Sequence, residues 1–143
     1  MHPREGIEFD WLMVDSQDQV AMLSTAGYGP VPRWLGPYED TMDDAMDQVI
    51  ALAETGEALG NAERVSGGDY SDWLALSRRG LFTYDWTHRY ERLTIPSTPI
   101  LVSALPPISR RMAELTRIAG TFQDLPYLSE STFCRASGRA DSI

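Results

Sequence analysis

The chain has 143 residues, 43% of them hydrophobic, so a domain of this size can bury a substantial core without disulfides or metal ions. All 12 basic residues are arginine, which excludes a Walker-type phosphate loop, a Schiff-base lysine and a Ser-Lys dyad, since each needs the lysine amine. The net charge of −9 disfavours binding to the phosphate backbone of nucleic acids.

The negative charge is concentrated in the first half of the chain. Residues 1–63 hold 13 acidic and 2 basic side chains, whereas residues 64–143 hold 8 acidic and 10 basic ones. Such an asymmetry can attract a basic partner and speed its encounter. The alternative is that the acidic surface only keeps the protein soluble.

The stretch from Phe9 to Pro32 predicts a β-hairpin around which the rest of the chain packs. Apolar residues occur with a period of two over 9–14 and again over 20–23, and a cluster of turn formers at 15–18 separates the two runs. Because both faces carry apolar side chains, we expect helices to cover the hairpin on both sides. Two glycines and two prolines within 26–32 then end the sheet in an irregular loop.

Two helices are predicted in the middle of the chain. Apolar residues at three- and four-residue steps indicate an amphipathic helix that opens at residues 37–41 and reaches Ala53. Residues 57–70 lack periodicity, and we interpret them as a long surface loop with a short helical turn at 57–63. A short helix over 71–77 follows this loop.

The second half of the chain predicts further strands. Residues 81–87 alternate, with Phe82, Tyr84 and Trp86 on one face, which is typical of a strand. The elements expected after it are a partner strand over 90–95, a strand over 100–105, a helix that begins at Pro106 and ends at Gly120, and an edge strand over 130–135.

This order of elements favours an α+β fold. Strands arrive in neighbouring hairpins and not singly between helices, so we expect a mainly antiparallel sheet packed by about three helices. The whole chain, 1–143, is predicted to be a single domain with loose termini at 1–8 and 137–143.

Residue types that carry metal or nucleophilic chemistry are sparse. His2 and His88 lack a paired spacing, and the aspartates within 15–18 lack the order of a calcium loop, so we expect no metal and no cofactor. Cys134 has no neighbouring histidine or helix start, and Ser24 lies outside any nucleophile-elbow motif. We therefore assign no catalytic residue.

The first candidate site is an interaction surface that joins loop aromatics to an acidic helix face. Aromatic residues rimmed by charges are typical of interface centres. The predicted members are Tyr28, Trp34, Tyr38, Asp40, Asp43, Asp44 and Asp47. The alternative is that the aromatics only pad the loop against the sheet and that the aspartates form a solvated helix face.

The second candidate site is an aromatic pocket with a buried carboxylate, which suits a small-molecule binder or a hydrolytic enzyme. Its predicted lining is Trp11, Tyr84 and Trp86 with Asp10 or Asp85. A deep cavity with a buried carboxylate would favour this site, and a solid core at these residues would remove it.

Three blocks of the sequence resemble a family of small uncharacterised bacterial proteins. The blocks are FDW at 9–11, the segment that ends in STAGYGPVP at 21–32, and DWLAL with GLFTYDW between 72 and 86. The resemblance implies a β-hairpin, a glycine- and proline-containing loop and a later aromatic strand, and it carries over no functional residue. In size and acidity the chain is also similar to immunity proteins of bacterial toxin systems, which implies a non-catalytic module that binds a basic protein.

The sequence also bears on location. No run approaches the ~18 apolar residues that a membrane span needs, and the first residues contain no apolar segment typical of a secretory signal. Cys134 is the single cysteine, so no internal disulfide can form. We therefore expect a cytoplasmic protein without membrane association.

Overall fold

The computed structural model describes residues 6–61 and 69–135, which form an α+β fold as the sequence predicts. Within these two ranges there are three α-helices, α1 (Glu39–Ile50), α2 (Ser71–Arg78) and α3 (Pro107–Ala113). The strands are β1 (Asp10–Val14), β2 (Val20–Ser24), β3 (Ala58–Gly60), β4 (Phe82–Trp86), β5 (Tyr90–Pro96), β6 (Thr116–Arg117), β7 (Tyr127–Leu128) and β8 (Cys134–Arg135). Short 3-10 helices lie at Arg33–Tyr38, Val102–Ala104, Phe122–Asp124 and Glu130–Thr132.

The strands form one mixed sheet in which antiparallel pairs predominate. Its order is β3-β5-β4-β2-β1-β6-β8, and β7 pairs separately with β5. The predicted hairpins β1–β2 and β4–β5 are both present and antiparallel. The β2–β4 and β1–β6 pairs are parallel, which requires long crossover connections, and the hairpin pattern in the sequence did not indicate them.

The alternation of side chains along β1 and β2 separates two faces of the sheet. On the helical face, which carries Asp10 and Met22, α1 and α3 pack on β1, and α2 packs on β4 and β5. On the aromatic face, the ring of Trp11 meets that of Phe133 at 5.4 Å between centroids, and Tyr84 meets Phe122 at 5.8 Å. The α-helices therefore cover one face, and residues 122–133, which hold two short 3-10 helices, cover the other. The expectation of helices on both sides was wrong for α-helices.

A buried carboxylate fixes the predicted turn between β1 and β2. Asp15 is fully buried, and its Oδ1 accepts the amides of Gln17 and Gln19 at 2.9 and 3.0 Å. Its Oδ2 accepts the amide of Phe122 at 2.9 Å. Arg117 Nη1 donates to the Asp15 carbonyl at 2.6 Å. One residue thus closes the hairpin turn and joins the C-terminal segment to the sheet.

The predicted strand over 100–105 is wrong. The Ile100 amide donates to the Gly80 carbonyl at 2.9 Å, and the Val102 amide donates to the Asp18 carbonyl at 2.8 Å. Gln19 and Leu101 form an isolated antiparallel bridge, and residues 102–104 then form a 3-10 helix, so no strand continues here. The contact with Gly80 is close, because a Cβ added there would lie 2.7 Å from the Ile100 nitrogen, and φ at Gly80 is +103°. Gly80 thereby permits the chain after β5 to lie against the end of α2.

Several predicted boundaries also change. The segment 57–70 contains β3, which pairs with β5, while residues 62–68 lie outside the described part of the chain. The helix that begins after Pro106 ends at Ala113 and not near Gly120, because the next residues pair as β6 with β1 and β8.

The predictions for the two ends of the chain also differ from the structure or lie outside it. The predicted edge strand over 130–135 is a 3-10 helix followed by β8. Residues 1–5 and 136–143, which include His2 and the predicted loose tail, lie outside the described residues.

Replacing the buried turn carboxylate should destabilise the fold. In Asp15→Asn, the amide nitrogen cannot accept the bond from a backbone N–H group, so one buried donor loses its partner. We expect the free energy of unfolding to fall by about 1–3 kcal/mol in urea denaturation.

The exposed Asp18 in the same turn provides the control. Its side chain pairs with Arg117 at the surface, at 2.9 Å, so Asp18→Asn should cost no more than about 0.5 kcal/mol. Equal losses in the two variants would contradict the role assigned to Asp15.

Candidate functional site

The predicted aspartates of the interaction surface share one exposed side of α1. Asp40, Asp43, Asp44 and Asp47 are all exposed, and their three- and four-residue spacing places them on one face of the helix. Ile50, whose spacing from Met46 matches the apolar stripe predicted for this helix, is nevertheless 56% exposed and continues the acidic side at the end of α1. We call these five residues the α1 acidic face.

The predicted loop aromatics do not share one environment. Tyr28 is 62% exposed in the loop after β2. Trp34 and Tyr38 are half-buried against the core, and the Trp34 indole donates to Thr116 Oγ1 at 2.8 Å. The padding alternative therefore describes Trp34 and Tyr38, and of the three aromatics only Tyr28 is exposed.

The structure does not bring the second predicted site together as one pocket. Trp11 and Tyr84 are fully buried on the aromatic face, where the Tyr84 hydroxyl donates to the Leu125 carbonyl at 2.6 Å. Trp86 packs there against Tyr90, with 5.1 Å between ring centroids. Asp10 and Asp85 lie on the helical face, since neighbours in a strand point to opposite sides. Trp11 and Tyr84 therefore occupy solid core, and Trp86 is half-buried beside it.

Asp10 instead lines an open cavity of about 400 Å³ on the helical face. Here α1 and α2 stand apart above the sheet. Asp10 and Met22 line the cavity from the sheet, Met46 and Ile50 from α1, and Trp73 and Leu76 from α2. We call this the Asp10 cavity. It joins a carboxylate to an apolar wall, but of the predicted pocket residues only Asp10 lines it.

The carboxylate of Asp10 lacks a hydrogen bond at one of its two oxygens. Its Oδ1 is buried and has no hydrogen-bond partner among the described residues. The neighbouring Ser24 hydroxyl has a single proton, which it donates to Glu8 Oε1 at 2.9 Å. Burial, with the added repulsion of Glu8, raises the pKa of Asp10 from 3.8 to about 6, and the neighbouring Ser24 hydroxyl opposes this rise by a smaller amount.

The one arginine that lines the Asp10 cavity, Arg79, already donates hydrogen bonds to backbone carbonyls. Arg79 lines the cavity, but its Nε donates to the Leu52 carbonyl at 2.8 Å and its Nη1 to the Ala75 carbonyl at 2.9 Å. Its Nη1 also lies 3.5 Å from Glu54. Since Glu8 and Asp72 also line the cavity, its charge is predominantly negative.

Another cavity of about 400 Å³ lies between β5 and the Pro126–Tyr127 segment. Its Arg92 is held by the carbonyls of Phe122 and Gln123, at 2.7 and 2.8 Å, so that guanidinium serves the fold. Within 6–61 and 69–135, no three side chains of the metal-binding types converge on one point. Asp10, the described residue with an unsatisfied buried oxygen, lines the first cavity, although that oxygen itself is enclosed by the protein.

Sequence reasoning missed Trp73 as a site residue because its helical spacing is also that of a core residue. A signal for Asp10 was present, since it is a carboxylate in an otherwise apolar strand. The convergence of β1, β2, α1 and α2 on one cavity has no local signature.

Comparison of the chain with protein-family models, with curated proteins and with solved structures finds no match. Among the described residues, no helix is both long enough and apolar enough to cross a membrane. The functional argument therefore depends on the geometry of the two sites.

Asp10 should make folding stability depend on pH. Its folded-state pKa of about 6 exceeds the ordinary 3.8, so the native state binds the proton more tightly than the unfolded chain does. This contribution is present in full below the ordinary pKa and is lost as the pH rises through about 6. Asp10→Asn should therefore be more stable than the natural protein near neutral pH, by about 1–3 kcal/mol.

Urea denaturation of both proteins across the acid range checks this expectation. The difference in unfolding free energy should shrink toward zero as the pH falls to about 4. A difference that stays constant with pH would show that ionisation of Asp10 is not its cause.

Proposed function

We propose that this chain is a non-catalytic, cytoplasmic interaction protein that binds a basic protein partner through the α1 acidic face. The observation that carries the proposal is the exposure of four aspartates on one side of a helix that has no basic residue in its last turn. A surface of this kind repels nucleic acid and complements a positive patch on a protein.

The α1 acidic face also has the mixed character of an interface. Among the described residues, the side chains of Asp44 and Asp47 take part in no ion pair, so they are available to a partner. Ile50 adds an exposed apolar group at the end of the same face. An apolar group with a charged rim is typical of protein–protein contacts.

The similarity in size and acidity to immunity proteins supports the same class of function. On this proposal the basic partner is a toxin. A toxin encoded beside this chain would support the assignment, and examination of the neighbouring coding sequences would reveal it.

Charge reversal on α1 tests the proposed surface. Asp44→Arg combined with Asp47→Arg should abolish capture of a specific basic protein from lysate of the source cell, because both attraction and complementarity are lost. The purified partner should then bind the natural protein with an affinity that falls by about tenfold or more when salt is raised to about 0.5 M.

The matched control reverses two exposed acids outside α1, Glu57→Arg with Glu130→Arg. This control has the same net charge and should retain the partner. If both double variants lose or keep the partner alike, the α1 acidic face is not the binding surface. Tyr28→Ala then tests whether the surface reaches the loop, and it is a cleaner probe than Trp34→Ala because Trp34 also supports the fold.

Small-molecule binding is the second candidate function. The Asp10 cavity favours it, because a half-buried carboxylate and apolar side chains line a space of about 400 Å³ there.

A further inference from the structure

We propose that the Asp10 cavity binds a small organic cation, an ammonium or guanidinium group carried on an apolar stem, with Asp10 as its counter-ion and Trp73 and Met46 along the stem. This inference deepens the second candidate function by naming the class of ligand. It uses Ile50 and the charge of Asp43 from the α1 acidic face, but it does not depend on Asp44 or Asp47.

The charge of the cavity selects a cation. Asp10, Glu8 and Asp72 line it, and Asp43 and Asp85 lie close enough to act on Asp10 through their charges. The one arginine at the cavity is bonded to two backbone carbonyls and lies beside Glu54. An anionic ligand would add to this repulsion, whereas a cation relieves it.

The condition of Asp10 gives the cation a specific partner. Oδ1 is enclosed by the protein and has no hydrogen-bond partner among the described residues, and the nearby Ser24 hydroxyl donates to Glu8 Oε1. An incoming N–H group therefore meets the part of Asp10 that lines the cavity. A half-buried carboxylate gains more from a charge-assisted hydrogen bond than an exposed one, because water competes less.

The walls of the cavity require an organic cation and not a bare ion. The apolar surface comes from Met22, Met46, Ile50 and Leu76. Trp73 on α2 also lines the cavity and is half-buried. Indole rings attract organic cations, and thioethers adapt to irregular stems. A volume of about 400 Å³ lies at the lower end of the range of small-ligand sites, which favours a compact molecule.

Phenethylamine is a suitable probe because it carries one ammonium group on a short aromatic stem. We would titrate it into isotope-labelled protein and follow the Asp10 carboxyl carbon and the Trp73 indole by NMR. We expect both resonances to shift along one saturable curve with a Kd of about 1 mM or lower. The pKa of Asp10 should fall by about one unit or more in the saturated protein, since the cation favours the charged carboxylate.

Two isosteres isolate the charge. Phenethyl alcohol keeps the stem without the cation, and phenylacetate reverses the charge. Each should bind about tenfold more weakly or not at all. Equal binding of the alcohol would overturn the proposal, because it would show an apolar site that makes no use of Asp10.

Two variants isolate the residues. Asp10→Asn, which we expect to fold with higher stability at neutral pH, should weaken binding by about tenfold or more. Asp18→Asn, an exposed change in the β1–β2 turn, should leave the Kd within about twofold. Unchanged binding by Asp10→Asn, or no shift of either resonance with phenethylamine at about 50 mM, would overturn the proposal.

A last pair of measurements separates this inference from the proposed partner surface. The Asp44→Arg with Asp47→Arg variant should lose the protein partner and still bind phenethylamine. The Asp10→Asn variant should keep the protein partner and bind phenethylamine weakly. Loss of the protein partner in Asp10→Asn would mean that the cavity receives a side chain of that partner, and it would overturn the assignment to a free cation.

Discussion

The alternation of side chains along β1 is the constraint on which the rest of the structure depends. Asp10 and Trp11 are adjacent in sequence, yet they face opposite sides of a strand in the middle of the sheet. A shift of one residue would exchange the two and place a carboxylate among aromatic rings. Each face therefore has its own cover, with residues 122–133 over the aromatic face and helices over the other. The Asp10 cavity is the part of the helical face that the helices do not close.

The local parts of this arrangement could be predicted from the sequence. The β1–β2 and β4–β5 hairpins follow from a period of two on each side of a short polar segment, and that signal lies within a few residues. The start of α3 after Pro106 follows from the two prolines at 106 and 107, because proline is favoured in the first turn of a helix. The exposed aspartates of α1 follow from the same helical period that places Met42 and Val49 in the core. These features gave the α+β class and the first candidate surface.

The remaining features depend on contacts between distant segments. β3 has three residues and no pattern of its own, and it is a strand because it pairs with β5. The apolar run over 100–105 looks like a strand, but its amides bond to Gly80 and Asp18. The cavity is likewise a gap between two helices, and no single helix encodes it. One error was avoidable, since strand alternation alone separates Asp10 from Trp11.

The lengths of the outermost strands have a consequence for behaviour at high concentration. Among the described residues, the sheet ends in β3 with three residues on one side and in β8 with two on the other. Short borders of this kind present few unpaired amides and carbonyls to a second molecule. β2 is enclosed between β1 and β4, whereas β1 meets β6 only at the Val14–Arg117 pair. Of the two strands in the hydrophobic central ribbon, β2 is therefore the one that cannot serve as a template for fibre growth.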